Sequence, residues 1–277
     1  FAALAKVSHD WLVEGLPLKL WLAARDELPL LGPWLGAAAT AHLASWAGFF
    51  YDLSIIGWLS WRRSRPWAYG AVLLFHGCTM ALFEIGMFPL IMSAVTTVFF
   101  APGWPRHLLR RLRGLAPEAP SAPTGGPLGW LPTALLVAYA AVQIAVPLRG
   151  LLYPGNLLWH EQGMRFAWRV LVREKSGSVT YRVSSATAGR TWHVNPARYL
   201  TPRQAHEMAG QPDLVLQLAH RIARDFRSRG VTDAEVRADT RVSLNGRPPR
   251  ALIDPAQDLS QVPDGLRVAP WITGDSP

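Results

Sequence analysis

Three apolar runs, at 35–61, 67–100 and 128–148, decide most of what this chain can become. Each reaches the roughly 20 residues that a helix needs to cross the hydrocarbon core of a bilayer. The second is too long for one straight crossing, since as a helix it would extend about 50 Å against a core of about 30 Å. It must bend, and Gly86 and Pro89 in EIGMFP are the places, because proline removes a backbone donor and clashes with the preceding turn. Four ionisable residues, Lys6, Asp52, His76 and Glu84, lie inside or at the ends of apolar stretches. Charge is costly there and usually marks function. The chain also begins at Phe1, inside the apolar stretch around Lys6, without a Met or signal sequence. It is therefore expected to be the C-terminal part of a longer membrane protein.

The polar residues fit the same picture. A hydrophobic fraction of 50% coexists with a net charge of +9, so the chain is neither uniformly soluble nor uniformly membrane-like. The arginines cluster beside the runs, as Arg62, Arg63 and Arg65 and then Arg106, Arg110, Arg111 and Arg113 with His107. Juxtamembrane loops have this composition, and membrane lipids with anionic headgroups are the natural partner. Trp58, Trp61 and Trp67 flank RRSR as an interfacial belt would. Nucleic acid is not expected as a partner, because no finger, helix-turn-helix or aromatic ribonucleoprotein signature accompanies the basic residues. The basic RHLLRRLR places the 102–127 loop on the cytoplasmic side, so the third run carries whatever follows to the exoplasmic face. A hairpin-like second run, with both ends inside, reconciles this with the equally basic RRSR. The proline-rich APEAPSAPTGGP at 116–127 reads as an exposed linker.

Beyond Tyr153 the character changes. Tyr153-Pro-Gly-Asn156 reads as a turn with Gly155 at the position needing positive φ. Residues 166–173 and 179–183, joined through Lys175-Ser176-Gly177, look like a hairpin. Thr201, Pro202 and Gln204 carry a capping-box pattern. Leu214, Val215, Leu218, Ala219, Ile222, Ala223 and Phe226 then recur at helical spacing, and Val236, Ala238, Val242 and Leu244 alternate with polar residues as in a half-buried strand. The expected fold is thus an integral, multi-pass membrane protein: an α-helical transmembrane bundle over 1–152, followed by an α+β extramembrane domain over 153–277. Cys78 is the sole cysteine, and HEQG at 160 lacks the second histidine of a zinc helix, so neither an intrachain disulfide nor a metal site is expected.

Longer blocks carry a resemblance. FHGCTMALFEIGMF at 75–88, FFAPGWPR at 99–106, LLYPGNLLWHEQGMRFAWRVLVREKSG at 151–177, VNPARYLTPRQ at 194–204 and VSLNGRPPRALIDP at 242–255 resemble vitamin K-dependent gamma-glutamyl carboxylase and its bacterial relatives with a horizontally transferred transmembrane (HTTM) domain. The blocks are collinear over essentially the whole chain. The resemblance implies a reduced quinone, vitamin K hydroquinone or a relative, as cofactor, with oxygen and carbon dioxide as co-substrates and a glutamate-containing protein or peptide as the molecule carboxylated. It also implies earlier transmembrane helices, including one with a catalytic histidine, that precede anything in this chain.

Residue roles follow from the same comparison. AKVSHDWLVEG matches the family's lysine segment, which puts Lys6 where the base that starts the cycle stands. An amine among Ala2, Ala3, Leu4, Ala5 and Val7 is desolvated, which suits a proton acceptor. Read from the residues alone, Lys6 is first an anchor that ends a helix and snorkels to the interface, and it is the family match that makes it a base. His76 matches too, and either polarises the quinone oxygen or carbon dioxide or makes a helix–helix hydrogen bond, with Glu84 as its partner. GMRFAW resembles the glutamate-engaging segment, with Phe166 and Trp168 on its aromatic positions. Arg165 adds a guanidinium able to grip a carboxylate with two hydrogen bonds, although an alternating Phe166 and Trp168 on a strand also suit a core. Three functions remain open here: a quinone-dependent carboxylase, a quinone-oxygenating enzyme that does not carboxylate protein, and a non-catalytic membrane-anchored binding module.

Overall fold

The computed structural model describes residues 1–29, 31–115, 126 and 128–274, and forms two compact units, Phe1–Leu20 with Tyr139–Pro277 and Trp21–Ala138. Apart from Gly126, the proposed linker at 116–127 lies outside the described residues. Three short helices open the chain: α1 (Ala2–Ala5), α2 (His9–Leu12) and α3 (Leu18–Ala23). The Ser8 hydroxyl caps α2 by accepting from the Trp11 amide at 3.2 Å.

Trp21–Ala138 is helical. α4 (Gly32–Leu35) leads into α5 (Ala38–Ser60), then α6 (Arg65–Leu82), α7 (Phe88–Val95) with a 3₁₀ turn over Thr96–Phe99, and α8 (Trp104–Leu112). The 67–100 run bends at the expected place. α6 stops at an extended Phe83, Gly86 takes φ +60°, and Pro89 sits in the first turn of α7, where its missing N–H leaves no bond unmade. Leu59, Ala68 and Val72 form a small core, with Tyr51 stacked on Phe75 at 3.9 Å beside it.

By length and composition, one helix among the described residues can cross a membrane, the stretch Trp130–Leu152 formed by α9 (Trp130–Leu148) and its 3₁₀ extension. There are two if Phe88–Phe99 and Trp104–Leu112, bent by 96°, count as one span. This is a thinner membrane domain than the three-run bundle read from the sequence. Composition explains it: α5 carries His42, Asp52 and three serines, and the 67–100 run is cut into pieces at 83–87.

The other unit is built on a three-stranded antiparallel sheet in the order β2-β1-β3, from β1 (Lys175–Ser185), β2 (Arg190–Val194) and β3 (Glu235–Leu244). Ahead of it comes α10 (Leu157–His160), and between β2 and β3 lie α11 (Pro202–Ala209) and α12 (Pro212–Ser228). α12 buries Val215, Leu218, Ala219, Ile222, Ala223 and Phe226 against Tyr181 and Val183 of β1 and Val236 and Ala238 of β3. Each buried Val, Leu, Ile or Phe among them contributes roughly 1.5–3 kcal/mol, so this face outweighs any local preference. The Tyr181 hydroxyl donates to the Val215 carbonyl at 2.8 Å, which fixes helix to sheet without an unmade polar group. The Thr201–Gln204 capping box closes as expected, and Gly155 takes φ +97°.

The hairpin read at 166–183 does not form. β1 runs straight through Lys175-Ser176-Gly177, and its partner there is β3, with Gly177 opposite Val242. Gly177 marks close strand approach rather than a turn, because a Cβ at that position would stand 2.5 Å from the Arg241 carbonyl oxygen.

Candidate functional site

Residues 161–174 connect α10 to β1 without regular structure, and their backbone is unusual. Glu161, Phe166, Trp168 and Leu171 all take φ between +53° and +59°, the left-handed region that costs a side-chain-bearing residue of order 1–3 kcal/mol. Such backbone persists only when its surroundings over-determine it, and here they do. Arg165 donates from Nε to Asp213 Oδ2 at 2.7 Å and from a terminal nitrogen to Gln211. Arg149 donates to the Arg165 carbonyl. Gln162 bonds the Arg267 carbonyl and the Ala269 amide, Gly163 packs on Gly150, and Asn245 closes the far end on the Glu174 amide.

The result is an exposed aromatic ledge. Phe166 is 83% and Trp168 51% exposed, so neither belongs to the core that an alternating strand would have given them. Their exposure on a clamped segment is the opposite of what hydrophobic burial alone produces. Arg165 immediately precedes Phe166, but its guanidinium is committed to Asp213 and Gln211.

Beneath this segment lies a buried ionic cluster that sequence reasoning missed. Glu161 pairs with Arg173 at 2.7 Å and with the Lys175 ammonium at 3.0 Å, and Lys175 also donates to the Trp159 carbonyl. The Lys175 side chain has no exposed surface, and burial pushes it down to about 8 against the opposing pull of Glu161. His160, held below the usual imidazole range by burial and then by Lys175, accepts at Nδ1 from the Gln162 amide. Its Nε2, like Arg173 Nε, is buried with no hydrogen-bond partner among the described residues. The available signal was the run Arg173-Glu174-Lys175, which its neighbour Ser-Gly disguised as a turn.

Lys6 belongs to the same compact unit. It caps the end of α1 rather than lying within a long helix, is only 7% exposed, and places its ammonium 5.2 Å from the Trp11 ring centre. Ala5, next to it, joins the core of the α+β unit. His76 belongs to the other unit, on α6, among the rings of Tyr51, Phe75 and Phe88. Its Nδ1 is buried without a partner among the described residues. Glu84 does not serve it: that carboxylate is exposed past the end of α6 and pairs with Arg25 at 3.6 Å. Among the described residues no group of three His, Cys, Asp or Glu side chains could hold a metal ion.

Residues 130–276, more than half of the chain, match the profile of the vitamin K-dependent gamma-carboxylase lumenal domain, and residues 1–104 match that of the HTTM domain. The chain belongs to the vitamin K-dependent gamma-carboxylase family. As a member it is a carboxylase-like membrane protein, and the sheet, α11, α12 and the aromatic ledge all lie within its lumenal-type, exoplasmic part. No solved structure matches the chain.

Proposed function

We propose that this chain is a quinone-dependent carboxylase acting on glutamate side chains of a protein or peptide. The observation that carries the reading is Lys6, a lysine buried to 7% exposure at the position where the family resemblance sets a base, in a chain matched by both the HTTM and the lumenal profiles. A bound reduced quinone supplies, on reaction with oxygen, the strong base that a γ-proton requires. The chain's own residues supply the rest. Lys6 accepts the hydroquinone hydroxyl proton at Nζ, and Trp11 shields that amine from water.

The residues on the other unit fit a flat ring with polar oxygens. Around His76, Tyr51, Phe75 and Phe88 offer aromatic surface, and its orphaned Nδ1 can bond a quinone oxygen or polarise carbon dioxide. Phe166 and Trp168 hold the glutamyl segment by apolar contact, while Arg165, through Asp213, keeps their backbone in place. Glu161, Arg173 and Lys175 support the segment from below. With Arg165 so engaged, a second reading also has support, in which quinone is oxygenated and no protein is carboxylated.

The test measures hydroquinone-to-epoxide conversion and carbon dioxide incorporation in membranes at matched expression. Lys6→Ala and Lys6→Arg should both abolish the two reactions, since a guanidinium stays protonated at any working pH. Near-normal turnover by Lys6→Arg would mean an interfacial anchor, and epoxidation without incorporation in the unaltered protein would favour the second reading.

A further inference from the structure

We propose that α8 is an in-plane membrane anchor whose arginines bind the headgroups of anionic phospholipids. At 3.6 residues per turn, Leu108, Leu109 and Leu112 fall on one side of α8 and Arg106, His107 and Arg110 on the other, with Arg111 and Arg113 along the borders. All three leucines are exposed, Leu112 to 75%. Soluble helices bury such a stripe, and here it is open.

Two further observations select the occupant. From Ala101 to Leu115 the sequence has four arginines and no Asp or Glu, so the segment is cationic in composition, and the partner that complements it is anionic. The second is direction. α8 stands at 96° to the apolar segment Phe88–Phe99 that precedes it. If that segment runs along the membrane normal, α8 lies in the plane of the interface, with leucines toward the acyl chains and arginines level with phosphate. Trp104, at its first turn, has the ring chemistry that favours this depth. Four arginines exclude α8 from the hydrocarbon core, so the bend is the end of an apolar segment and not the middle of a span. A flat acidic protein would complement the charge, but it would leave the leucine side open. A bilayer surface satisfies both sides together.

The test uses the full chain in nanodiscs, with Cys78→Ser as background and a fluorophore on Leu109→Cys or His107→Cys. The Leu109 label should be quenched by nitroxide on lipid acyl chains and shielded from iodide, and the His107 label should show the reverse. Equal iodide access to both, or no quenching of the Leu109 label by either reagent, overturns the anchor. Headgroup binding is read separately, as anionic phospholipid retained per protein through detergent purification. Replacing Arg106, Arg110, Arg111 and Arg113 by Gln should lower retention well over ten-fold, since each basic residue near such a surface contributes roughly five-fold. Replacement by Lys should keep it. Unchanged retention in the Gln variant, or loss in the Lys variant as well, would overturn the headgroup assignment. Capture by an acidic protein or nucleic acid that displaces the lipid would do the same.

Discussion

Asp10 and Arg247 meet through two parallel hydrogen bonds, of 2.6 and 2.8 Å, across 237 residues of sequence. Asn245 adds a third to the same carboxylate, at 2.6 Å. Gly246, with φ +75°, brings its backbone against Leu20 beside them. The segment carrying Lys6 is thereby pinned to the end of β3. A bidentate pair of this kind fixes orientation as well as energy.

Asp10→Asn should therefore loosen residues 1–20 while leaving the sheet folded. The expected loss is about 1–3 kcal/mol, read as faster protease cleavage within the first twenty residues. The Arg247 hydrogen bonds hold the Asp10 carboxyl below the ordinary value of 3.8. The folded form thus binds its proton less readily than the unfolded chain, so the contribution is present above pH 3.8 and disappears as pH falls through the lowered value. In Asp10→Asn that acid-side loss should be missing.

Phe166→Ala and Trp168→Ala should be nearly silent in stability. Exposed substitutions usually stay within about 0.5 kcal/mol, and a smaller effect is expected here than the roughly 3–5 kcal/mol of a buried Trp to Ala change. If the ledge receives the substrate, both raise the KM for a glutamyl peptide and leave quinone epoxidation intact. A large drop in thermal stability would return these rings to the core.

Lys175 predicts an alkaline stability rise. Its folded value of about 8 lies below the ordinary 10.5, so between these pH values the unfolded chain holds a proton that the folded chain has released. Stability should climb with pH across that window, by about 3 kcal/mol in all. Lys175→Met should flatten the slope in denaturant titrations from pH 7 to 10.5. Glu161 would keep its pair with Arg173.

Gly177→Ala tests the strand that replaced the expected hairpin. A methyl group 2.5 Å from the Arg241 carbonyl must push β1 from β3, at about 1–3 kcal/mol. At a turn the same substitution would leave β1–β3 pairing untouched. Hydrogen exchange of the Arg241 and Ser243 amides, which face β1, distinguishes the two.

What the sequence by itself determined is local and periodic. Spacing alone located the buried face of α12 and the alternation of β3, and residue chemistry located the Thr201–Gln204 cap, the Gly155 turn and the break at Gly86 and Pro89. In each case the deciding contacts lie within a few residues or repeat along one face, so the pattern is written in the segment itself. Lys6 and the aromatic ledge were singled out by resemblance, but not their settings. Tertiary structure alone decided that Phe166 and Trp168 face outward, that Lys175 is buried with Glu161, that Glu84 turns to Arg25 and away from His76, and that Asp10 reaches Arg247. Left-handed backbone at residues with side chains has no signature in composition, because it is imposed by clamps from Asp213, Gly150 and Asn245. A charge pair separated by hundreds of residues leaves no period to read, and its energy appears only once the chain has closed around it.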